Sequence, residues 1–154
     1  MNAYTSIADQ LKLPTGIFID GKYQPAASGK TFETKNPFNG DVIASLPACE
    51  TADVNAAVAS AKAAFESGVW SDLHPSERKA VLGKLADLIM ENVEELAVME
   101  ALDAGKPITD CLEIDVPETA SCIRWHGEAQ DKLYDQIAPS APDAVALIVR
   151  EPVG

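Results

Sequence analysis

Glu100-Ala101-Leu102-Asp103-Ala104-Gly105-Lys106-Pro107 is the stretch on which the fold turns, because it supports two incompatible readings. Glycine followed by lysine suggests a phosphate cradle. Such a loop needs a second glycine at fixed spacing, a hydroxyl residue after the lysine and a helix starting there. Pro107 occupies the hydroxyl position, so the cradle is rejected. The other reading is a helix end, with Gly105 as C-cap and Pro107 just beyond it. Working upstream, Pro75 at a first helical position, Glu77, and Leu82, Leu85, Ile89, Val93 and Leu96 on one face predict a long second helix toward Leu102, packed into the core. Arg78, Lys79, Lys84, Asp87, Glu91 and Glu95 form its solvated face. Before it, Val54, Val58, Ala61 and Phe65 predict a first helix over Ala52 to Glu66, with Thr51 as N-cap, Asp53 near the positive end and Gly68 as the stop. Downstream, a third helix is predicted from Asp115-Val116-Pro117-Glu118 through Ile123-Arg124-Trp125, fading by Leu133-Tyr134.

The outer parts of the chain follow a period of two. Ile17-Phe18-Ile19 and Lys22-Tyr23 flank Asp20-Gly21, a pair whose tolerance of positive φ suits a type I′ hairpin. Thr31 to Thr34 and Val42 to Leu46 form a second strand pair around the turn-rich Asn36-Pro37-Phe38-Asn39-Gly40-Asp41. These pairs predict a small antiparallel unit at the start of the chain. Met1 to Pro14, with only Ile7 and Leu11 spaced as a helix face, is a short helix or loose tail. Near the other end, Ala138 to Asp143 is a turn-rich break and Ala144 to Val149 an apolar strand.

Composition excludes several classes of function. The 154 residues carry 12 Lys and Arg against 24 Asp and Glu, a net charge of −12. That charge repels a phosphate backbone, so nucleic acid is not an expected partner. A hydrophobic fraction of 47% with 23% charged residues is that of a globular chain able to bury a core. No apolar run approaches the roughly 20 residues that cross a bilayer, and no basic segment followed by an apolar core opens the chain, so neither membrane insertion nor secretion is expected. Cys49, Cys111 and Cys122 are odd in number and widely spaced, which points away from disulfides and zinc and toward buried small hydrophobes in a reducing cytoplasm.

Taken together, Ile17-Phe18-Ile19-Asp20-Gly21, Thr31-Phe32-Glu33-Thr34-Lys35-Asn36-Pro37, Leu85-Ala86-Asp87-Leu88-Ile89, Glu100 to Pro107 and Arg150-Glu151-Pro152-Val153-Gly154 resemble the opening of the aldehyde dehydrogenase superfamily in order and spacing. Within it, Ile123-Arg124-Trp125, Glu128-Ala129, Asp131-Lys132 and Ile148 to Gly154 are most similar to the γ-glutamyl-γ-aminobutyraldehyde dehydrogenases of bacterial putrescine breakdown. The resemblance implies an α/β fold: the N-terminal part of an aldehyde dehydrogenase, with a small antiparallel β unit, three helices and a β-ribbon arm. It implies that residues 1–132 belong to the NAD(P)-binding domain, 133–150 to an oligomerisation arm and 151–154 to the lead into the dinucleotide-binding sheet.

The implied reaction is oxidation of an aldehyde to a carboxylic acid through a cysteine thiohemiacetal, hydride transfer to NAD or NADP, and thioester hydrolysis assisted by a glutamate. In the family those residues, and the oxyanion asparagine, follow the stretch that Gly154 closes. None of the three cysteines matches the nucleophile. The 154 residues alone are therefore expected to be inactive and to bind no dinucleotide. The resemblance also implies a monovalent cation held by the backbone carbonyls of Thr34 and Lys35 and the Asp103 carboxylate, against the alternative of a helix-end hydrogen bond for Asp103. It places Ile114, Glu118 and Cys122 at the aldehyde entrance, where Glu118 would favour a cationic or strongly polar tail; a solvated first-turn glutamate is the blander account. Trp125 is either channel wall or core, with core preferred. Ala144, Leu147 and Val149 fall in the arm, which implies a homo-oligomer, and an apolar strand with an unpaired edge needs such a cover on physical grounds too. A different class of function is a short non-catalytic form that assembles with full-length subunits.

Overall fold

The computed structural model describes residues 3–153, so expectations about Met1, Asn2 and Gly154 lie outside the described residues. Asp20 and Gly21 both take positive φ, 53° and 76°, as a type I′ turn requires. They join β1 (Ile17–Ile19) to β2 (Lys22–Gln24), with Phe18 opposite Tyr23 and their rings edge-on at 5.1 Å. β3 (Thr31–Lys35) pairs antiparallel with β4 (Val42–Pro47), and the register slips between Thr34 and Lys35. The expected single unit is thus two separate two-stranded ribbons.

The six-residue α1 (Ala3–Ala8) precedes them, and the long helices follow. α2 (Thr51–Glu66) is capped by Glu50 rather than Thr51. Asp53 decides this. Its buried carboxylate accepts from the backbone N–H of Glu50 at 2.8 Å and of Ala27 at 2.7 Å, tying the helix start to the loop after β2. The apolar stripe of α2 does not enter a core: Val54, Val58 and Phe65 are 55%, 60% and 40% exposed, because no described layer lies over that face.

The long second helix is in fact two. α3 (Pro75–Glu91) stops at Asn92, whose φ of −114° and ψ of 23° break the helical run, and α4 (Val93–Ala104) restarts it. The Asn92 side chain donates to the Leu88 carbonyl at 2.8 Å, the local competition with helix bonds that asparagine offers. α4 ends as predicted, on Gly105 at φ 71°. A Cβ there would sit 2.6 Å from Cγ of Pro37, so glycine also admits the β3–β4 turn against the helix end.

The third helix begins earlier than Asp115. A single turn, α5 (Ile108–Asp110), runs into a π-helical segment, Cys111–Asp115, and then into α6 (Val116–Ala129). Pro117 has no N–H to give the preceding turn, and the chain passes that gap as a wider π turn. α6 packs chiefly on α3, and Gly127 permits the approach: a Cβ there would be 3.1 Å from Cβ of Leu82. The core is built of small residues, with Ala86, Ala97 and Cys111 fully buried and Ile89, Val93 and Leu96 packed around the last two. Leu85 departs from its predicted place and is 44% exposed. Cys49 and Cys122 are exposed too, so only Cys111 is the buried small hydrophobe expected of all three. β5 (Gln136–Ala138) and β6 (Ala146–Ile148) pair antiparallel, forming the expected ribbon over fewer residues than the apolar run. Among the described residues no helix is long and apolar enough to cross a membrane.

Candidate functional site

Where α4 ends, two of the implied cation ligands meet. Asp103 lies in the last turn of α4 and Thr34 on β3 beside the register slip; the Thr34 hydroxyl donates to Asp103 Oδ1 at 2.8 Å. The partner of Asp103 is therefore a side chain 69 residues away rather than its own helix end. Thr34 and Asp103 border a cavity of about 310 Å³ with Ile43, Leu46 and Met99. Lys35, next along the strand, turns its ammonium toward Glu33 at 3.7 Å.

One polar cluster was not anticipated. Lys106 pairs with Asp115 and, at 3.5 Å, with Glu100, so one lysine ties the π-helical segment to α4. The hydrogen bond that Lys106 donates to the Asp115 carboxylate raises the pKa of the lysine and keeps it charged. Cys111 lies between the same carboxylates, all three ligand atoms within 4.8 Å of one another. Burial first, then the charges of Glu100 and Asp115, push its thiol pKa up, so it stays protonated and is a poor nucleophile. Nothing in the spacing of Glu100, Lys106, Cys111 and Asp115 announces this group, because the π turn that assembles it has no sequence period of its own.

Ile114, Glu118 and Cys122 come together as expected, four residues apart on one exposed face of the π segment and α6. Glu118 makes no ion pair among the described residues. Trp125 is 66% exposed, against the core position preferred for it, and stands edge-on to His126 with centroids 5.0 Å apart. The Cys122 sulfur lies 3.7 Å from His126 Nδ1, yet that nitrogen is 2.8 Å from the Cys122 carbonyl. A carbonyl only accepts, so Nδ1 carries the proton and is not a base for the thiol.

On the ribbon, Leu147 and Val149 are 63% and 53% exposed. Ala144 falls in the turn before β6, its carbonyl accepting from the Ser140 hydroxyl at 2.7 Å. Arg150 closes the ribbon base, donating from Nη1 to the Tyr134 carbonyl at 2.6 Å.

The profile of the Aldehyde dehydrogenase family matches residues 23–154. The chain belongs to the aldehyde dehydrogenase family. Over 151 residues it is 50% identical to the aminoacetaldehyde dehydrogenase of Pseudomonas aeruginosa, covering 98% of this chain and 30% of that one. It is 44% identical over 144 residues to the NADP/NAD-dependent aldehyde dehydrogenase PuuC of Escherichia coli, covering 94% of this chain and 29% of the relative. The solved γ-glutamyl-γ-aminobutyraldehyde dehydrogenase of Burkholderia cenocepacia superposes with a TM-score of 0.95 at 46% identity, covering 98% of this chain and 31% of that one. This aldehyde dehydrogenase chain thus spans about 30% of the length of these relatives, and its fold is that of their N-terminal portion.

Proposed function

We propose that this chain is the N-terminal part of an NAD- or NADP-dependent aldehyde dehydrogenase that oxidises an ω-amino or γ-glutamylamino aldehyde to its carboxylic acid. The observation that carries the substrate class is Glu118, an exposed and unpaired carboxylate between Ile114 and Cys122 on the face assigned to the aldehyde entrance. A carboxylate there attracts a cationic amine and offers nothing to an apolar chain. The relatives whose names specify an aminoaldehyde agree with this reading. None of Cys49, Cys111 and Cys122 is the nucleophile of this reaction. The Gly105 turn ends a helix instead of starting one, so Gly105-Lys106 is not the proposed phosphate site of the nicotinamide cofactor. The backbone carbonyls of Thr34 and Lys35 and the carboxylate of Asp103 are the proposed ligands of a structural monovalent cation, a reading supported by the hydrogen bond from the Thr34 hydroxyl that brings this strand to Asp103. The ribbon of Leu133 to Val149, with Ala144, Leu147 and Val149, is the proposed oligomerisation arm, supported by its exposed apolar side chains.

Because the chain spans only about 30% of its relatives, the test joins it to the remaining length of the Pseudomonas aeruginosa relative. The chimera is expected to reduce the dinucleotide with aminoacetaldehyde. Glu118→Leu is expected to raise KM for that cationic aldehyde about tenfold, one charge interaction's worth, and to leave propanal unchanged. Equal effects on both aldehydes would overturn the assignment of Glu118. The isolated chain is expected to show no turnover.

A further inference from the structure

We propose that Arg78 and Arg150 form a binding site for a small organic carboxylate with a flat apolar body. Of the 12 Lys and Arg side chains, eight stand in ion pairs among the described residues, those of Lys30, Lys35, Lys62, Lys79, Lys84, Lys106, Arg124 and Lys132. Lys12, Lys22, Arg78 and Arg150 do not, and of these only the two arginines border a common cavity, about 390 Å³ in volume, together with Phe65, Trp70 and Gln130.

Both guanidiniums are held by neutral acceptors. Arg78, half-buried, donates from Nη1 to the carbonyls of Ser71 and Leu73 at 2.8 and 2.9 Å and from Nε to Gln130 Oε1 at 3.2 Å. Its Nη2 makes no hydrogen bond among the described residues. Arg150 spends Nη1 on the Tyr134 carbonyl at 2.6 Å, and its Nε and Nη2 are likewise open. Carbonyl oxygens orient a guanidinium without neutralising it, so both charges stay fixed and available. Neither guanidinium has a carboxylate in ion-pair contact among the described residues; Asp72 accepts from the Ser71 hydroxyl at 3.1 Å, and Asp135 from the Arg150 backbone N–H at 3.2 Å. Phe65 and Trp70 are 40% and 43% exposed and give the cavity its apolar wall. The open Nε and Nη2 of Arg150 form a fork that favours the planar oxygens of a carboxylate, Arg78 Nη2 adds a further charged donor, aromatic rings favour a flat body, and the volume suits a molecule of that size.

The test is calorimetric titration of the whole chain with phenylacetate, supported by Trp70 fluorescence in a Trp125→Phe background. Saturable binding is expected, with phenylacetamide, of equal shape and no charge, about tenfold weaker or worse, the loss of a charge-assisted hydrogen bond. Arg150→Gln, at an exposed position, is expected to weaken phenylacetate about tenfold and leave the thermal midpoint unchanged. Arg78→Lys keeps the charge and loses the anchored guanidinium that holds Nη2 in place, and is expected to weaken binding as well. Equal affinity for acid and amide, undiminished binding by Arg150→Gln, or no saturable binding of phenylacetate would each overturn the proposal. Tighter binding of phenyl phosphate than of phenylacetate would overturn the choice of carboxylate.

Discussion

At the scale of single residues, the chain is punctuated by positions where one atom decides. In the sequence Asp53 is only an acidic residue in a first helical turn, yet its carboxylate joins α2 to the loop after β2. The N–H donors of Glu50 and Ala27 hold its pKa below the ordinary carboxylate value. A lowered folded pKa means that the stabilisation is complete above the ordinary value and is lost as pH falls through the folded one. Denaturant midpoints taken between about pH 7 and about pH 3 are expected to show Asp53→Asn weaker than wild type at neutral pH, with the difference closing in acid. Two glycines should respond in opposite directions. Gly105→Ala forces a side chain into φ 71° and toward Pro37, and is expected to cost about 1–3 kcal/mol. At Gly83, inside α3, a Cβ would meet nothing within 4 Å. Gly83→Ala is therefore expected to stabilise by about 0.4–1 kcal/mol in the same unfolding assay.

Among the elements, what could be read in advance depended on whether a local signal or a long-range contact made the decision. The β1–β2 hairpin was legible because Asp20-Gly21 carries its own backbone preference, and the end of α4 because Gly105 does. The division of α3 from α4 was not, since asparagine at position 92 is an ordinary surface residue until its side chain turns back on Leu88. The π segment was hidden behind Pro117, whose usual meaning at a helix start is correct for α6 and silent about the turns before it. In the candidate sites, the grouping of Ile114, Glu118 and Cys122 and that of Thr34 with Asp103 both came from resemblance, which named the Thr34 carbonyl and not the hydroxyl that meets Asp103. The Lys106 cluster and the two-arginine cavity join distant segments and had no local signature. Helix orientation is the measurable case. Apolar spacing placed Leu85 in the core, but α3 faces α6 with Ala86, which is fully buried. Leu85→Ala is accordingly expected to cost only about 1 kcal/mol, and Ala86→Leu about 1–3 kcal/mol by overpacking. A larger loss for Leu85→Ala in denaturant melts would mean that α3 is rotated from this arrangement.

For the whole molecule, two opposed properties set its behaviour in solution. The net charge of −12 pushes copies apart. Exposed apolar surface draws them together: the ribbon presents Ile137, Leu147, Ile148 and Val149, and α2 presents Val54, Val58 and Phe65. Repulsion between net charges acts over about a Debye length, roughly 10 Å at 0.1 M salt and 3 Å at 1 M. Apolar attraction does not weaken with screening. Association through the ribbon is therefore expected to increase with sodium chloride, the reverse of an assembly held by ion pairs. Replacing Leu147 and Val149 by Lys gives an informative contrast, because it lowers the net negative charge, which alone would favour association, while placing like charges along a strand edge, which opposes pairing. Sedimentation of wild type and the double variant over the same salt series separates the two effects. The variant is expected to stay monomeric at every salt concentration with its helical signal intact. If instead it associates more than wild type at low salt, net charge governs the assembly and the ribbon is not the contact.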